Sequence, residues 1–362
     1  MKKIIMSMLV ALSLLLVTGC QKEMKTIPNT TKAPVTIITD AHESNIYFKS
    51  DVFGSGDFET IEDLKLTKVE NALYQYEITV TLPKKGQFRF ENADGSYKNT
   101  NMEQEHFKIN EAGNIEVVHS GRYHFVVNSL TGSIISTLEV KSVDRDDFIK
   151  DDLKKGTPIV LTAYIQYFEY DGKTVDIFMQ DEDGGYFTYG LTVTEDEYNA
   201  FNNHLYKEIT ILGEKDKVNG FFELSSISEW YFSNPKGDRE FRATPYDITS
   251  IVTDYDAMST HQGELITLDC TVELCRDEEN NPCAFLYKYN GTGRAGDDLY
   301  IHITEKSGIE LVVETDVFKD GSELYEYVEN NLQVGDKITV VGYLWWYNGP
   351  QPHIISLVPQ GE

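Results

Sequence analysis

The sequence predicts a mainly β protein, with an N-terminal β-sandwich followed by two five-stranded barrels that each carry one short helix. Three observations lead there. Between residues 35 and 141 apolar residues alternate in short runs broken by turn residues, the signature of a two-faced antiparallel sheet. Beyond residue 155 the chain repeats itself. Each copy of the repeat contains a single stretch with apolar residues at helical spacing.

The sandwich strands are expected at Val35–Thr39, Asn45–Phe48, Tyr74–Leu82, Gln87–Glu91, His106–Ile109, Ile115–His119, Arg122–Val127 and Ile134–Val140. Residues 142–155, with Asp144-Arg145-Asp146-Asp147 and Asp151-Asp152, read as a charged linker or short helix. The repeat then opens, with Gly156-Thr157-Pro158-Ile159-Val160-Leu161-Thr162 matching Gly263-Glu264-Leu265-Ile266-Thr267-Leu268-Asp269. Further on, Lys207-Glu208-Ile209-Thr210-Ile211-Leu212-Gly213 and Asn219-Gly220 match Asp336-Lys337-Ile338-Thr339-Val340-Val341-Gly342 and Asn348-Gly349. A helix precedes this second match in each copy. The first spans about Glu195 to Leu205, with Thr194 as N-cap and Tyr198, Phe201 and Leu205 on one face. The second spans about Ser322 to Leu332, with Asp320 and Glu323 at capping-box spacing and Leu324, Val328 and Leu332 on one face. Five strands with a helix between the third and fourth is the order of an OB-fold. The barrels are therefore placed at 156–232 and 263–358, joined by a linker at 233–262.

Composition narrows the partners. The 362 residues carry 32 Lys and Arg against 59 Asp and Glu, a net charge of −27. Residues 151–236 hold 7 basic and 16 acidic side chains, and residues 262–358 hold 6 and 17. Binding to nucleic acid draws its affinity mainly from Lys and Arg displacing counterions, so that partner is disfavoured in spite of the barrel fold.

Lys2 and Lys3 precede a charge-free apolar run, Ile4 to Val17, too short for a membrane span of about 20 residues and fitting a cleaved export signal at 1–19. Leu16-Val17-Thr18-Gly19-Cys20 resembles a bacterial lipobox. That resemblance implies cleavage before Cys20, diacylation of its sulfur, and a mature protein held at the outside of the cell membrane, or at the outer membrane where the host has two. Removing residues 1–19, which hold two lysines and no acid, takes the net charge to −29, so lipid chains and no basic patch would hold the protein there. Residues 20–34, polar and Pro-punctuated, read as a flexible tether.

Two further resemblances bear on function. Ile46-Tyr47-Phe48, the loop with Phe53-Gly54-Ser55-Gly56-Asp57-Phe58, Tyr74–Leu82 and Gln87-Phe88-Arg89-Phe90 together resemble the sandwich modules beside glycan-handling domains, including those of starch-binding surface lipoproteins. The sandwich has no Trp, so a ligand platform there would have to come from Tyr47, Phe48, Phe53, Phe58 and Tyr97, and core packing is the expected job of most of them. Residues 177–187 and 334–342 are similar to OB modules of bacterial surface proteins, some of them appended to extracellular nucleases. No nuclease motif accompanies that likeness, so it transfers no catalytic residue.

The strongest binding candidates are Tyr343, Trp345, Trp346, Tyr347 and Asn348, at the tip of the hairpin between strands four and five of the second barrel, a loop that OB-folds use for oligonucleotides and oligosaccharides. Two adjacent Trp on a strand face opposite ways. The barrel can bury only one of them, which leaves the other to pack between domains, to bind a sugar, peptide or nucleic acid, or to do nothing. Cys275 and Cys283 come opposite each other if Asp277–Pro282 turns a hairpin, either bridged or as free thiols, with Cys270 in the core. The spacing lacks a zinc knuckle, and the acidic turns at 181–185 and 277–281 lack EF-hand order, so no metal is expected. Gly291-Thr292-Gly293-Arg294-Ala295-Gly296 is a literal G-x-G-x-x-G, but a strand headed by Asp297-Asp298 follows it, so it reads as an inter-strand loop without a nucleotide. No catalytic motif is present. The reading is a non-enzymatic, cofactor-free, lipid-anchored surface lipoprotein that binds a glycan or a surface protein. The alternative is an accessory or degenerate component of an extracellular hydrolase or nuclease system that binds nucleic acid through its OB-folds.

Overall fold

The computed structural model describes residues 45–96, 102, 105–305, 308–314 and 322–361. The export signal, Cys20, the tether, the Val35–Thr39 strand, Tyr97 and Asp320 lie outside the described residues. The fold is mainly β, in the predicted order of a sandwich followed by two barrels.

The sandwich holds β1 (Ile46–Ser50), β2 (Thr67–Lys68), β3 (Gln75–Leu82), β4 (Gln87–Asn92), β5 (Phe107–Ile109), β6 (Ile115–Val117), β7 (Gly121–Asn128) and β8 (Ile134–Lys141). They form two four-stranded sheets, β1-β4-β6-β5 and β2-β3-β7-β8. Alternation is cleanest in β7, where Gly121, Tyr123, Phe125 and Val127 are buried and the residues between them are half-exposed. Between the sheets lies an aromatic core in which Phe48 stacks on Phe88 (4.9 Å between centroids) and both lie against Phe125.

The charged stretch after β8 contains a one-turn helix, α1 (Arg145–Phe148), capped by the Asp144 carboxylate accepting from Asp147 N–H (2.9 Å). Barrel one follows: β9 (Thr157–Tyr170), β10 (Thr174–Gln180), β11 (Gly185–Thr192), α2 (Glu195–Asn203), β12 (Glu208–Val218) and β13 (Phe221–Phe232). It closes in the order β10-β11-β13-β12-β9, with β11 and β13 parallel. Thr194 and Glu197 form a reciprocal capping box on α2, and Phe201 drives into the barrel core. Asn219 and Gly220 both have positive φ, giving the two-residue turn that suits the twist between β12 and β13.

Residues 233–262, expected as a linker, are packed structure. Gln166 holds their first part to barrel one, accepting from Ala243 N–H (2.9 Å) and donating to Phe241 O (2.9 Å). Their second part contains β14 (Tyr246–Asp247), which pairs in parallel with barrel two, and α3 (Tyr255–Ser259). Ile248, Val252 and Met258 there are buried in the barrel-two core, which is why this apolar stretch does not run free.

Barrel two comprises β15 (Leu265–Thr271), a two-stranded excursion of β16 (Cys275–Arg276) and β17 (Pro282–Cys283), then β18 (Leu286–Tyr287), β19 (Leu299–His302), β20 (Glu310–Val313), α4 (Glu323–Asn331), β21 (Lys337–Tyr343) and β22 (His353–Pro359). Its sheet runs β15-β21-β22-β20-β19, and β19 returns to β15 through Glu273 N–H to His302 O (2.9 Å) and Thr304 N–H to Thr271 O (3.0 Å). β20 and β22 are parallel, as in barrel one. The α4 cap is Ser322, accepting from Tyr325 N–H (3.3 Å), in place of the expected Asp320.

Candidate functional site

The two barrels meet through the surface that the sequence marked for ligands. Phe178 on β10 and Phe187 on β11 are register partners, and both point out of barrel one, away from its own core. Trp345 inserts against them, 4.7 Å from Phe187, 4.9 Å from Phe221 and 6.1 Å from Phe178, with its other face stacked on His353 (4.8 Å). Tyr343 stacks on Phe178 (4.6 Å) and Tyr167 (5.2 Å). Trp346 is buried and lies against Gly220, where a Cβ would come within 3.0 Å of its indole nitrogen. Tyr343, Trp345 and Trp346 are thus built into the inter-barrel core and do not present free faces. The strand-two and strand-three face of barrel one, a ligand face in OB-folds, is filled by the same chain.

Polar groups lock this seam. The tips of the two Asn-Gly loops touch, Asn348 N–H donating to Asn219 O (2.6 Å). Gln262 accepts from Phe222 N–H (3.1 Å) and donates to Gly220 O (3.0 Å). Gly185 lies so close that a Cβ would stand 2.5 Å from Glu264 N. Beside it, Arg145 of α1 is buried and donates to the carbonyls of Gly185, Thr260 (2.8 Å) and Gln262 (2.8 Å), tying the segment after the sandwich to both barrels.

Among the described residues, barrel two keeps its own strand-two and strand-three surface open. A groove of about 550 Å³ lies elsewhere, between the sandwich and barrel one, lined by groups of both charges such as Lys84, Asp183 and Arg239. The barrel-two groove, about 520 Å³, is different in kind. Tyr300 of β19 and Glu310 of β20 form its floor, Tyr289 comes from the loop before β19, Tyr347 and Asn348 from the loop between β21 and β22, and Tyr255 from α3. Tyr289 is 60% exposed and Tyr347 59%, large values for rings held on a shaped surface. Local backbone places them. Lys288 has positive φ and turns the chain at Tyr289, while Gly349 lets the Tyr255 ring approach to where a Cβ would stand at 3.2 Å.

Glu310 is held between Gln351, which donates to it (3.2 Å), and His302 (3.2 Å). Burial, reinforced by the carboxylates Asp298, Glu314 and Glu310, pushes the Tyr300 phenol up to about 12, so it stays a protonated hydrogen-bond donor. Among the described residues the groove is lined by no Lys or Arg. Aromatic faces, two amides and a fixed carboxylate can stack on apolar ring faces and bind hydroxyls, while the acidic field opposes phosphate or sulfate.

Of the sequence candidates, Tyr347 and Asn348 reach this groove. The sandwich candidates form no platform: Tyr47 is buried with its hydroxyl donating to Glu62 (3.2 Å), Phe53 packs on Tyr231 (4.8 Å), and Phe58 lies under the Arg89 guanidinium (4.7 Å). Tyr255, Tyr289, Tyr300 and Gln351 were missed. Tyr289 and Tyr300 bracket the Gly-rich loop, and that spacing could have flagged them. The loop itself precedes a strand and is pinned, Gly296 N–H donating to the buried Tyr325 hydroxyl (2.9 Å), so it is neither a nucleotide cradle nor free. Cys275 and Cys283 are register partners on β16 and β17, Cys270 is buried, and all three are free thiols in the structure. Among the described residues no group of His, Cys, Asp or Glu is placed to hold a metal ion, and no helix is long and apolar enough to cross a membrane.

No family model matches the chain, and no curated protein matches it. Among solved structures, one described as "Structural mimicry for functional antagonism" is 16% identical, with a TM-score of 0.25, covering 59% of this chain and 99% of that one. Another, "p202 HIN1 in complex with 12-mer dsDNA", is also 16% identical with a TM-score of 0.25, covering 61% of this chain and all of that one.

Proposed function

We propose that this chain is a non-enzymatic, lipid-anchored surface lipoprotein that binds an uncharged extracellular glycan in the tyrosine groove of its second barrel. One observation carries the reading: of two ligand faces produced by the repeat, one is filled by Tyr343 and Trp345, and the other is open and lined by Tyr255, Tyr289, Tyr300 and Tyr347 without a lining base among the described residues. Tyrosines stack on pyranose faces while their hydroxyls, Asn348, Gln351 and Glu310 meet sugar hydroxyls. The anchor rests on Lys2, Lys3, the apolar run and Leu16–Cys20.

Calorimetric titration of the mature chain against a panel of neutral and anionic glycans, with single-stranded DNA alongside, tests the reading. A neutral glycan is expected to bind, and Tyr289→Ala and Tyr347→Ala are each expected to weaken it roughly fivefold to tenfold, the loss of about 1–1.5 kcal/mol of stacking. Salt-dependent DNA binding with no glycan binding would overturn it in favour of a nucleic-acid partner. Mass spectrometry of membrane-extracted protein that found no acylated peptide beginning at Cys20 would remove the anchor.

A further inference from the structure

We propose that Cys275 and Cys283 form a structural disulfide that holds the wall behind the glycan groove. The two residues face each other directly across the antiparallel pair of β16 and β17. Opposed antiparallel residues have Cα atoms about 4.5–5.5 Å apart with Cβ atoms on the same face, inside the range a disulfide spans. Cys270 is no competitor: it sits on β15 opposite Ile338, in the barrel core.

The hairpin has a physical need for a staple. β16 and β17 are a separate two-stranded sheet with a ladder of only two residue pairs, and such a ribbon is marginal in water. Its turn is specified locally, Asp277 accepting from Asn281 N–H (2.7 Å) and Arg276 donating to Asn280 O (3.0 Å), yet it still supports something beyond itself. The tip packs against Gly291, where a Cβ would stand 3.2 Å from the Asp277 Cα, and Gly291 N–H donates to Lys288 O (3.0 Å) across Tyr289. A covalent link at the base of the hairpin therefore steadies the loop that presents Tyr289, a consequence that rests on the glycan reading.

The chemistry is a thiol–disulfide exchange. The S–S bond forms between the two Sγ atoms, and their two protons and two electrons reduce the disulfide of an oxidase in the export compartment to a dithiol. Burial pushes the Cys275 thiol up to about 11 and raises Cys283 as well, which disfavours their thiolates in the folded chain.

Peptide mapping of the full mature chain, with thiols alkylated during membrane extraction in denaturant without reductant, tests the bridge. Cleavage after Glu273 separates Cys270 from Cys275. The expected result is a linked peptide pair joining Cys275 to Cys283, with Cys270 alkylated. Three alkylated cysteines, or a bridge that includes Cys270, would overturn the proposal. That outcome does not depend on any ligand, so failure of the glycan reading would be seen separately. In the Cys275→Ser/Cys283→Ser double variant, amide exchange over residues 276–291 should speed up about tenfold while the β21 and β22 amides are unchanged. Unaltered exchange at 276–291 would refute the link to the groove.

Discussion

Replacing Trp345 by Ala separates two roles for the residue. Its indole contacts Phe187, Phe221 and His353 at centroid distances of 4.7–4.9 Å and closes the ligand face of barrel one. Truncating a packed Trp costs about 3–5 kcal/mol, and since Trp345 is partly buried the lower figure, about 3 kcal/mol, applies. The loss should fall on the seam first. Trp230, packed on Phe201, remains as a fluorescent reporter of barrel one, and Trp346, between Tyr255 and Gly220, as a reporter of the seam. Urea unfolding is expected to show the wild type losing both signals together and the variant losing them at separate midpoints, with total stability lower by about 3 kcal/mol. Glycan affinity should be little changed, because Trp345 is not among the groove residues. A stability loss below about 1 kcal/mol combined with lost glycan binding would refute the packing argument and return Trp345 to the ligand site.

Arg145→Met should lower stability by about 3 kcal/mol, because it leaves the carbonyls of Gly185, Thr260 and Gln262 without their buried donor; denaturant titration measures it, and a neutral result would mean that water replaces the guanidinium. Stability should also fall as pH rises from about 4 to 7. Burial, with Asp216 and Asp176 nearby, pushes Glu223 up to about 7 and burial pushes Asp176 up to about 6, so between their unfolded and folded values the native state binds more protons. Glu223→Gln should flatten that slope and stabilise the protein at pH 8 by on the order of 1 kcal/mol, and an unchanged profile of midpoint against pH would place the titration elsewhere.

Most of the architecture was legible because it is written in local patterns. Alternation placed the described sandwich strands apart from the two-residue β2, and the repeated Gly-to-Gly blocks with one amphipathic helix apiece placed both barrels. What local pattern could not carry is the choice between outward faces. Phe178 and Phe187 look like core residues of any strand, and nothing near them says that the Tyr343–Trp346 segment, more than 150 positions away, will cover them. The same limit hid Arg145. In sequence it belongs to a charged run, and only the approach of residues 260–264 turns it into a buried donor. The 233–262 segment was misread for a related reason, since Ile248, Val252 and Met258 have no strand or helix period of their own and are buried by the barrel they lie under.

The repeat also explains why the tryptophan pair packs between the barrels. The matched Asn-Gly dipeptides do different work: in barrel one Asn219-Gly220 is a two-residue turn, while in barrel two Asn348-Gly349 tops a loop running from Leu344 to Pro352. Lengthening that loop lets Trp345 reach across to barrel one while Tyr347 stays on barrel two, so a single segment fills one ligand face and furnishes part of the other. Trp345 and Trp346 both go to the seam, Trp345 against Phe187 and Trp346 against Gly220, and only Tyr347 beyond them reaches the groove. The acidic excess fits this division. Inside the seam Phe178, Phe187 and Trp345 carry no charge, whereas around the groove Asp298, Glu310 and Glu314 add to the field that raises Tyr300. Under the glycan proposal that field should select a ligand that brings hydroxyls and no phosphate, which is the property the neutral and anionic arms of the glycan panel separate.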